Sequence, residues 1–278
     1  MRNKDDIVVV RGGGDIASGA IQKLYRSGFK VLVLETETPS AIRRKVAFCE
    51  AVYEKEIEIE GIKARLVDND EEIQDCWDSD IVPVMIDSRG KVIERLKPLA
   101  VVDGILAKQN FGTKRSMAPI TIALGPGFSA PEDVDIVIET MRGHNLGRII
   151  EEGRASENTG VPGIIAGVGI ERVIYSDYSG VITNIEKIGN VVEKGDVIAV
   201  VGDNEIYASI SGVLRGIIRD GYKVKKGLKI ADIDPRISEK DNCFTISDKA
   251  RNIGGAVLES VLYLKKKKGM VTTSTSII

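Results

Sequence analysis

Residues 7–19 read Ile7-Val8-Val9-Val10-Arg11-Gly12-Gly13-Gly14-Asp15-Ile16-Ala17-Ser18-Gly19. The β-branched run at the front suits a strand buried on both faces. The three glycines then demand a tight turn. From Asp15 onward, Ile16, Ala20, Ile21 and Leu24 recur at helical spacing. A second apolar run, Val31 to Leu34, ends in Glu35 and completes a βαβ unit. Gly12, Gly14 and Ala17 match G-x-G-x-x-A, and Glu35 lies 21 positions after Gly14. That is the spacing of a dinucleotide site, in which the glycines admit a pyrophosphate and the acidic residue accepts from a ribose hydroxyl. Gly12, Gly13, Gly14, Asp15 and Glu35 are therefore the expected cofactor-binding residues. The plainer reading is a glycine turn that only starts a helix close to the sheet. Asp15 also places a negative charge beside any phosphate unless it serves the helix end.

Further along, Ala41 to Tyr53 reads as a helix whose Arg43 and Arg44 either reach a phosphate or form a solvated basic face. Ile57, Ile59 and Ala64 to Val67 alternate as strands about a turn at Gly61, and Asn69 to Ser79 reads as a polar helix. Parallel strands are expected at Ile81–Ile86, Leu99–Val102, Ile120–Leu124 and Val134–Ile138. In open α/β sheets, ligands bind beyond the carboxyl ends of the strands. The residues following those ends are therefore candidates. They include Asp103 and Lys108 after the fourth strand, Gly125 and Gly127 after the fifth, and Arg142 and the sole histidine, His144, after the sixth. Histidine is the residue that titrates most readily near neutral pH, and arginine pairs bidentately with phosphate or carboxylate.

An internal repeat follows. Tyr175–Ile198 matches Tyr207–Ile230 at a constant offset of 32 without gaps, each half reading SGV, then alternating apolar residues, then G-x-x-V-x-K-G. This pattern of short strands resembles the biotinyl/lipoyl-type barrel-sandwich. The joining hairpin, Gly202-Asp203-Asn204-Glu205, has no lysine, so covalent biotin or lipoate is not expected and the module reads as a scaffold. A helix from Ser247 to Lys268 follows, capped by Ser247, with Ile253, Val257, Val261 and Leu264 on one face. Gly254-Gly255 within it calls for close approach to another backbone or a ligand. Cys243, just before this helix, is a candidate thiol, since a helix N-terminus lowers a facing cysteine's pKa; an ordinary buried cysteine is the other reading.

The expected fold is therefore α/β. It comprises a Rossmann-like nucleotide-binding domain over 1–170, a small all-β barrel-sandwich (biotinyl/lipoyl-like) domain over 171–236, a C-terminal helix over 237–268 packing back on the first domain, and a tail over 269–278. A formal net charge of −2, with Lys265–Lys268 as the only basic run, leaves no footprint for nucleic acid. The absence of a membrane-length apolar stretch, of an apolar leader after MRNKDD and of paired cysteines suggests a cytoplasmic protein without a structural metal.

Several stretches together resemble the accessory-protein family of the selenium-dependent molybdenum hydroxylase system, the YqeB type. They are RGGGDIASG, PSAIRRKVAFCEAVY, VDGILAKQN, ALGPGF, ETMRGHNLGR, NTGVPG and ISDKARNIGGAVLESVL, in that order, spanning about Ile7 to Leu264. The resemblance implies a part in maturing hydroxylases whose molybdenum carries a labile selenium ligand. It implies binding of molybdenum cofactor or its nucleotide form, and a molybdenum hydroxylase as client. The alternative is an NAD(P)-dependent oxidoreductase acting on a small molecule, with Lys108 or His144 as proton donor. A homo-oligomer is compatible with either.

Overall fold

The computed structural model describes residues 7–157, 160 and 167–270. Except for Gly160, the Asn158–Gly163 motif lies outside the described residues, as do residues 1–6 and the tail from 271.

Apolar strands bury the centre of a nine-stranded mixed sheet. In chain order these are β1 (Ile7–Arg11), β2 (Lys30–Glu35), β3 (Glu56–Ile59), β4 (Ile62–Val67), β5 (Val82–Ile86), β6 (Ala100–Asp103), β7 (Ile120–Leu124), β8 (Ile136–Ile138) and β9 (Ile149–Ile150). Their spatial order is β3-β4-β5-β2-β1-β6-β7-β8-β9. The pairs β3–β4 and β8–β9 at the two edges are antiparallel, and the pairs between them are parallel. The helices are α1 (Asp15–Arg26), α2 (Ala51–Glu54), α3 (Asp70–Asp78), α4 (Lys91–Leu96) and α5 (Asp248–Lys267).

The Rossmann expectation is corrected by the make-up of the sheet. A Rossmann half joins successive parallel strands through helical crossovers. Here the sheet is mixed, with the antiparallel pairs β3–β4 and β8–β9 at its edges, and the chain makes the edge hairpin β3–β4 between β2 and β5. No α-helix joins β6 to β7 or β7 to β8. Helix α5 instead packs on α1 and contacts β7 and β8, so the far end of the chain covers a face that crossover helices would otherwise cover.

The helix expected over Ala41–Tyr53 also does not form. Arg44–Val46 and Phe48–Glu50 are 3₁₀ turns, followed by the short α2. The physical reason is tertiary. Cys49 N–H donates to Gly13 O at 2.9 Å and Phe48 N–H to Ser18 Oγ at 3.1 Å, so the segment bonds to the glycine turn instead of to itself.

The remaining strands are β10 (Val173–Tyr175), β11 (Gly180–Asn184), β12 (Val191–Val192), β13 (Val197–Val201), β14 (Asn204–Tyr207), β15 (Gly212–Ile217), β16 (Lys223–Val224) and β17 (Lys229–Asp234). They form two four-stranded antiparallel sheets, β10-β17-β15-β12 and β14-β13-β11-β16. The sequence repeat explains the pairing. Strand β12 of the first half pairs with β15 of the second, and β16 of the second pairs with β11 of the first. The serine contacts are exchanged likewise: Lys194 N–H donates to Ser211 Oγ and Lys226 N–H to Ser179 Oγ, each at 2.9 Å. Ile182, Ile198, Leu214 and Ile230 are buried in the shared core. This repeat unit is anchored to the sheet through β15. Arg44 Nε donates to Ile217 O at 2.8 Å, and Gly216 lies so close to Ile42 that a Cβ would stand 2.7 Å from its carbonyl oxygen.

Candidate functional site

The glycine turn is closed by its own surroundings on two of its three residues. Gly12 has φ +88°, and a Cβ there would stand 2.9 Å from Ile105 Cα. A Cβ on Gly13 would stand 2.9 Å from Cys49 N. These two glycines admit neighbouring loops of the same chain. Gly13 N–H donates to Glu35 Oε1 at 2.6 Å, and Thr36 N–H donates to Glu35 Oε2 at 3.0 Å. Burial pushes the Glu35 carboxyl pKa up, against the pull of these two donors. Glu35 therefore stabilises the turn and is not presented as a ribose acceptor. Gly14 is different: it is the N-cap of α1, no side chain caps that end, and a Cβ there would enter open space.

Several residues expected at the strand ends are structural ties. Asp103 is buried and accepts from Thr113 Oγ1 and, at 3.2 Å, from Ile105 N–H. Arg11, 2% exposed, bonds Thr113 Oγ1 and, at 3.0 Å, Ser88 O, and lies 3.7 Å from Asp103. Burial raises the Asp103 pKa while Thr113, Arg11 and Ile105 N–H oppose it. The pair holds the 104–114 loop in place. Gly125 and Gly127 have positive φ and admit Thr140 and the Gln109 backbone. Lys108 and His144 are exposed, without a hydrogen bond or ion pair among the described residues.

Cys243 is 1% exposed within the core of the repeat unit. Burial raises its thiol pKa, and Arg43 and Arg215 only partly counter that. The activated thiolate considered for Cys243 is thus not provided.

Asp15, Arg43 and Arg142 do gather, in company that the sequence reading missed. Arg43 is 5% exposed and donates to Asp15 Oδ1 at 2.9 Å, Asn242 O at 2.9 Å and Thr245 O at 3.0 Å, while its Nε is buried without a partner. Arg142 holds Asp248 by two parallel bonds of 2.8 Å and, as the largest influence, keeps that carboxyl well below the usual carboxylate range. From the repeat unit, Arg172 bonds Asp232 and Arg215 lies 3.7 Å from it. Lys249, in the first turn of α5, and Lys229, at the start of β17, are partly buried. Burial lowers the pKa of both, and both feel the charge of Asp15. The corner where α1 and α5 begin thus gathers more cationic side chains than carboxylates, which suits an oxyanion.

One signal for the missed residues lay in the repeat and the residues just past its end. At the offset of 32, Thr183 answers to Arg215, Val197 to Lys229 and Val200 to Asp232. At these positions the second half carries charge where the first is neutral, and Arg215 and Asp232 both act on Arg43.

Among the described residues, no group of three or more His, Cys, Asp or Glu side chains could hold a metal ion, and no helix is long and apolar enough to cross a membrane. No protein-family model matches the chain. It is similar to "Uncharacterized protein YqeB" of Escherichia coli (strain K12), 50% identical over 258 residues. The match covers 93% of this chain and 48% of that protein, so the chain spans about half the length of this curated relative. Among solved structures, the product-bound ectoine utilization protein EutE (DoeB) from Ruegeria pomeroyi aligns at 12% identity and a TM-score of 0.22, over 82% of this chain and 57% of that one. A succinylglutamate desuccinylase from Silicibacter sp. TM1040 aligns at 15% identity and a TM-score of 0.25, over 82% and 84%. At such scores, neither likeness informs the chemistry.

Proposed function

We propose that this chain is an accessory factor in the maturation of selenium-dependent molybdenum hydroxylases, and that it binds a phosphate-bearing ligand where α1 and α5 begin. Two kinds of support exist. The motifs that carry the family resemblance motivate the maturation role. The observation that carries the binding role is the cationic corner around Asp15, with Arg43, Arg142, Lys229 and Lys249 drawn from four separate parts of the chain. Within it Arg43 and Arg142 are committed to Asp15 and Asp248, and the ammonium groups of Lys229 and Lys249 are the donors that fit a phosphate group, including the phosphate of molybdenum cofactor or of a nucleotide. The cofactor would bring the metal chemistry. This chain's residues would bind and orient the phosphate end. An NAD(P)-dependent oxidoreductase is the weaker reading, because Glu35, the expected ribose acceptor, is engaged by Gly13 and Thr36.

The test is a thermal-shift panel of NAD(H), NADP(H), ATP, CTP, GTP and molybdopterin forms, followed by co-purification with a selenium-dependent hydroxylase. Stabilisation by molybdopterin or a nucleotide, with recovery of the hydroxylase, is the expected result. Stabilisation by a nicotinamide dinucleotide alone, without the client, would favour the oxidoreductase.

A further inference from the structure

Each carboxylate around the cationic corner already has a partner. Asp15 is taken by Arg43, Asp248 by Arg142, Asp232 by Arg172, and Asp234 by Arg236. Glu139 accepts from the N–H groups of Met141 and Ser156. Two ammonium groups are left over. The Lys229 and Lys249 side chains are both partly withdrawn from solvent, yet neither ammonium group makes a hydrogen bond or ion pair among the described residues. Withdrawing a charge from water without an acceptor is unfavourable, so such groups are ordinarily paired or moved outward. At Lys229 the repulsion of Arg172 and Arg215 works against the attraction of Asp232 and Asp15, and at Lys249 that of Arg142 works against Asp15, Glu139 and Asp248, all of them carboxylates already bonded elsewhere. The fold itself holds the two lysines there. The Arg44 bond to Ile217 O and the packing of Gly216 on Ile42 set Arg215 beside Arg43. Strand β17 pairs with β15 over Ala231–Asp234, and Lys229 at its start feels the charge of Asp15 across the junction.

We infer that a phosphate or diphosphate group binds across the junction of the two units, with Lys249 on the α5 side and Lys229 and Arg215 on the repeat side. The repeat unit is then a wall of the ligand site and not only a scaffold. This inference rests on the phosphate-bearing ligand proposed above and adds where that ligand's charge is met. One anion supplies the acceptor both lysines lack, and it screens the repulsion among the surrounding arginines.

The experiment is titration calorimetry of the full chain with inorganic pyrophosphate, and separately with inorganic phosphate, in a phosphate-free buffer. Wild type is compared with K229M, K249M and K266M, the last being at the far end of α5. Methionine keeps the stem and removes the charge. A lost charge-assisted hydrogen bond predicts that K229M and K249M each weaken binding by about tenfold or more, while K266M binds as wild type. Because each methionine variant sheds a partly buried charge without a bonded partner, its ligand-free Tm should equal or exceed that of wild type. K229R should restore binding and guards against a packing defect. Wild-type affinity in K229M, or no binding of either anion to wild type, overturns the inference. The cofactor panel separates the two claims. Pyrophosphate bound through both lysines, with no response to any nucleotide or molybdopterin, keeps the site and removes the maturation reading. A cofactor response that K229M leaves unaltered does the reverse.

Discussion

Gly254 of α5 lies directly against the Gly19 carbonyl of α1: a Cβ on Gly254 would stand 2.3 Å from Gly19 O, and one on Gly19 would stand 2.0 Å from Ala250 O. The two helices therefore meet backbone to backbone. Neither glycine has a positive φ, so the requirement is space alone. G254A or G19A must push the helices apart and should lower stability by about 3 kcal/mol or more. Gly255, next in the chain, faces open space. G255A should stabilise by about 0.5–1 kcal/mol through helix propensity. Urea denaturation of the three variants checks both signs, and equal destabilisation by G254A and G255A would refute the close crossing.

The same logic divides the glycine turn. G12A meets Ile105 in a left-handed backbone, and G13A meets Cys49, so both should fold poorly or lose several degrees of Tm. G14A should retain the wild-type Tm. G14V should fold but lose ligand-induced stabilisation, because only Gly14 borders the open end of α1. Full ligand response in G14V would place the anion elsewhere.

Asp135 joins the last turn of α5 to the sheet. It accepts from Arg115 Nε at 2.7 Å and Thr121 N–H at 2.9 Å, and lies 2.9 Å from Lys268 Nζ. Burial alone would raise its pKa; the bonds from Lys268, Arg115 and Thr121 outweigh that and lower it. A lowered folded-state pKa contributes stability that is present above the ordinary aspartate value and lost as pH falls through the lower one. D135N should therefore cost about 2 kcal/mol at neutral pH. That deficit should shrink as the pH drops below about 4. Denaturation curves for both proteins at pH 7, 5 and 3 test this, and a deficit that persists undiminished at pH 3 would contradict it.

Cys49, Cys76 and Cys243 are all buried and free, and burial raises the pKa of each thiol. Alkylation by iodoacetamide at pH 8 should be slow in the native protein and complete only after unfolding. Rapid native labelling of Cys243 would restore it as a reactive thiol.

Local information was legible wherever the chain's own periodicity sufficed. The strand–turn–helix at Ile7–Arg26, the hairpin about Gly61, the Asn69-capped helix and the Ser247-capped helix all follow from neighbours a few residues apart. The offset of 32 likewise contained the two-half construction, because equivalent sequences build equivalent strands. Tertiary structure decided the rest. Sheet order depends on pairings between distant residues, so the edge hairpin between β2 and β5, and the choice of β7 and β8 as the strands that α5 covers, left no local trace. Residues 41–53 carry a helical pattern, yet hydrogen bonds to Gly13 and Ser18 outcompete it. Glu35 sits at ribose spacing, but spacing does not reveal that the Gly13 N–H reaches it first. Lys229 and Lys249 come near Asp15 only once two units of the fold have docked, and electrostatic neighbourhoods of that kind are properties of distance in space, not of distance along the chain.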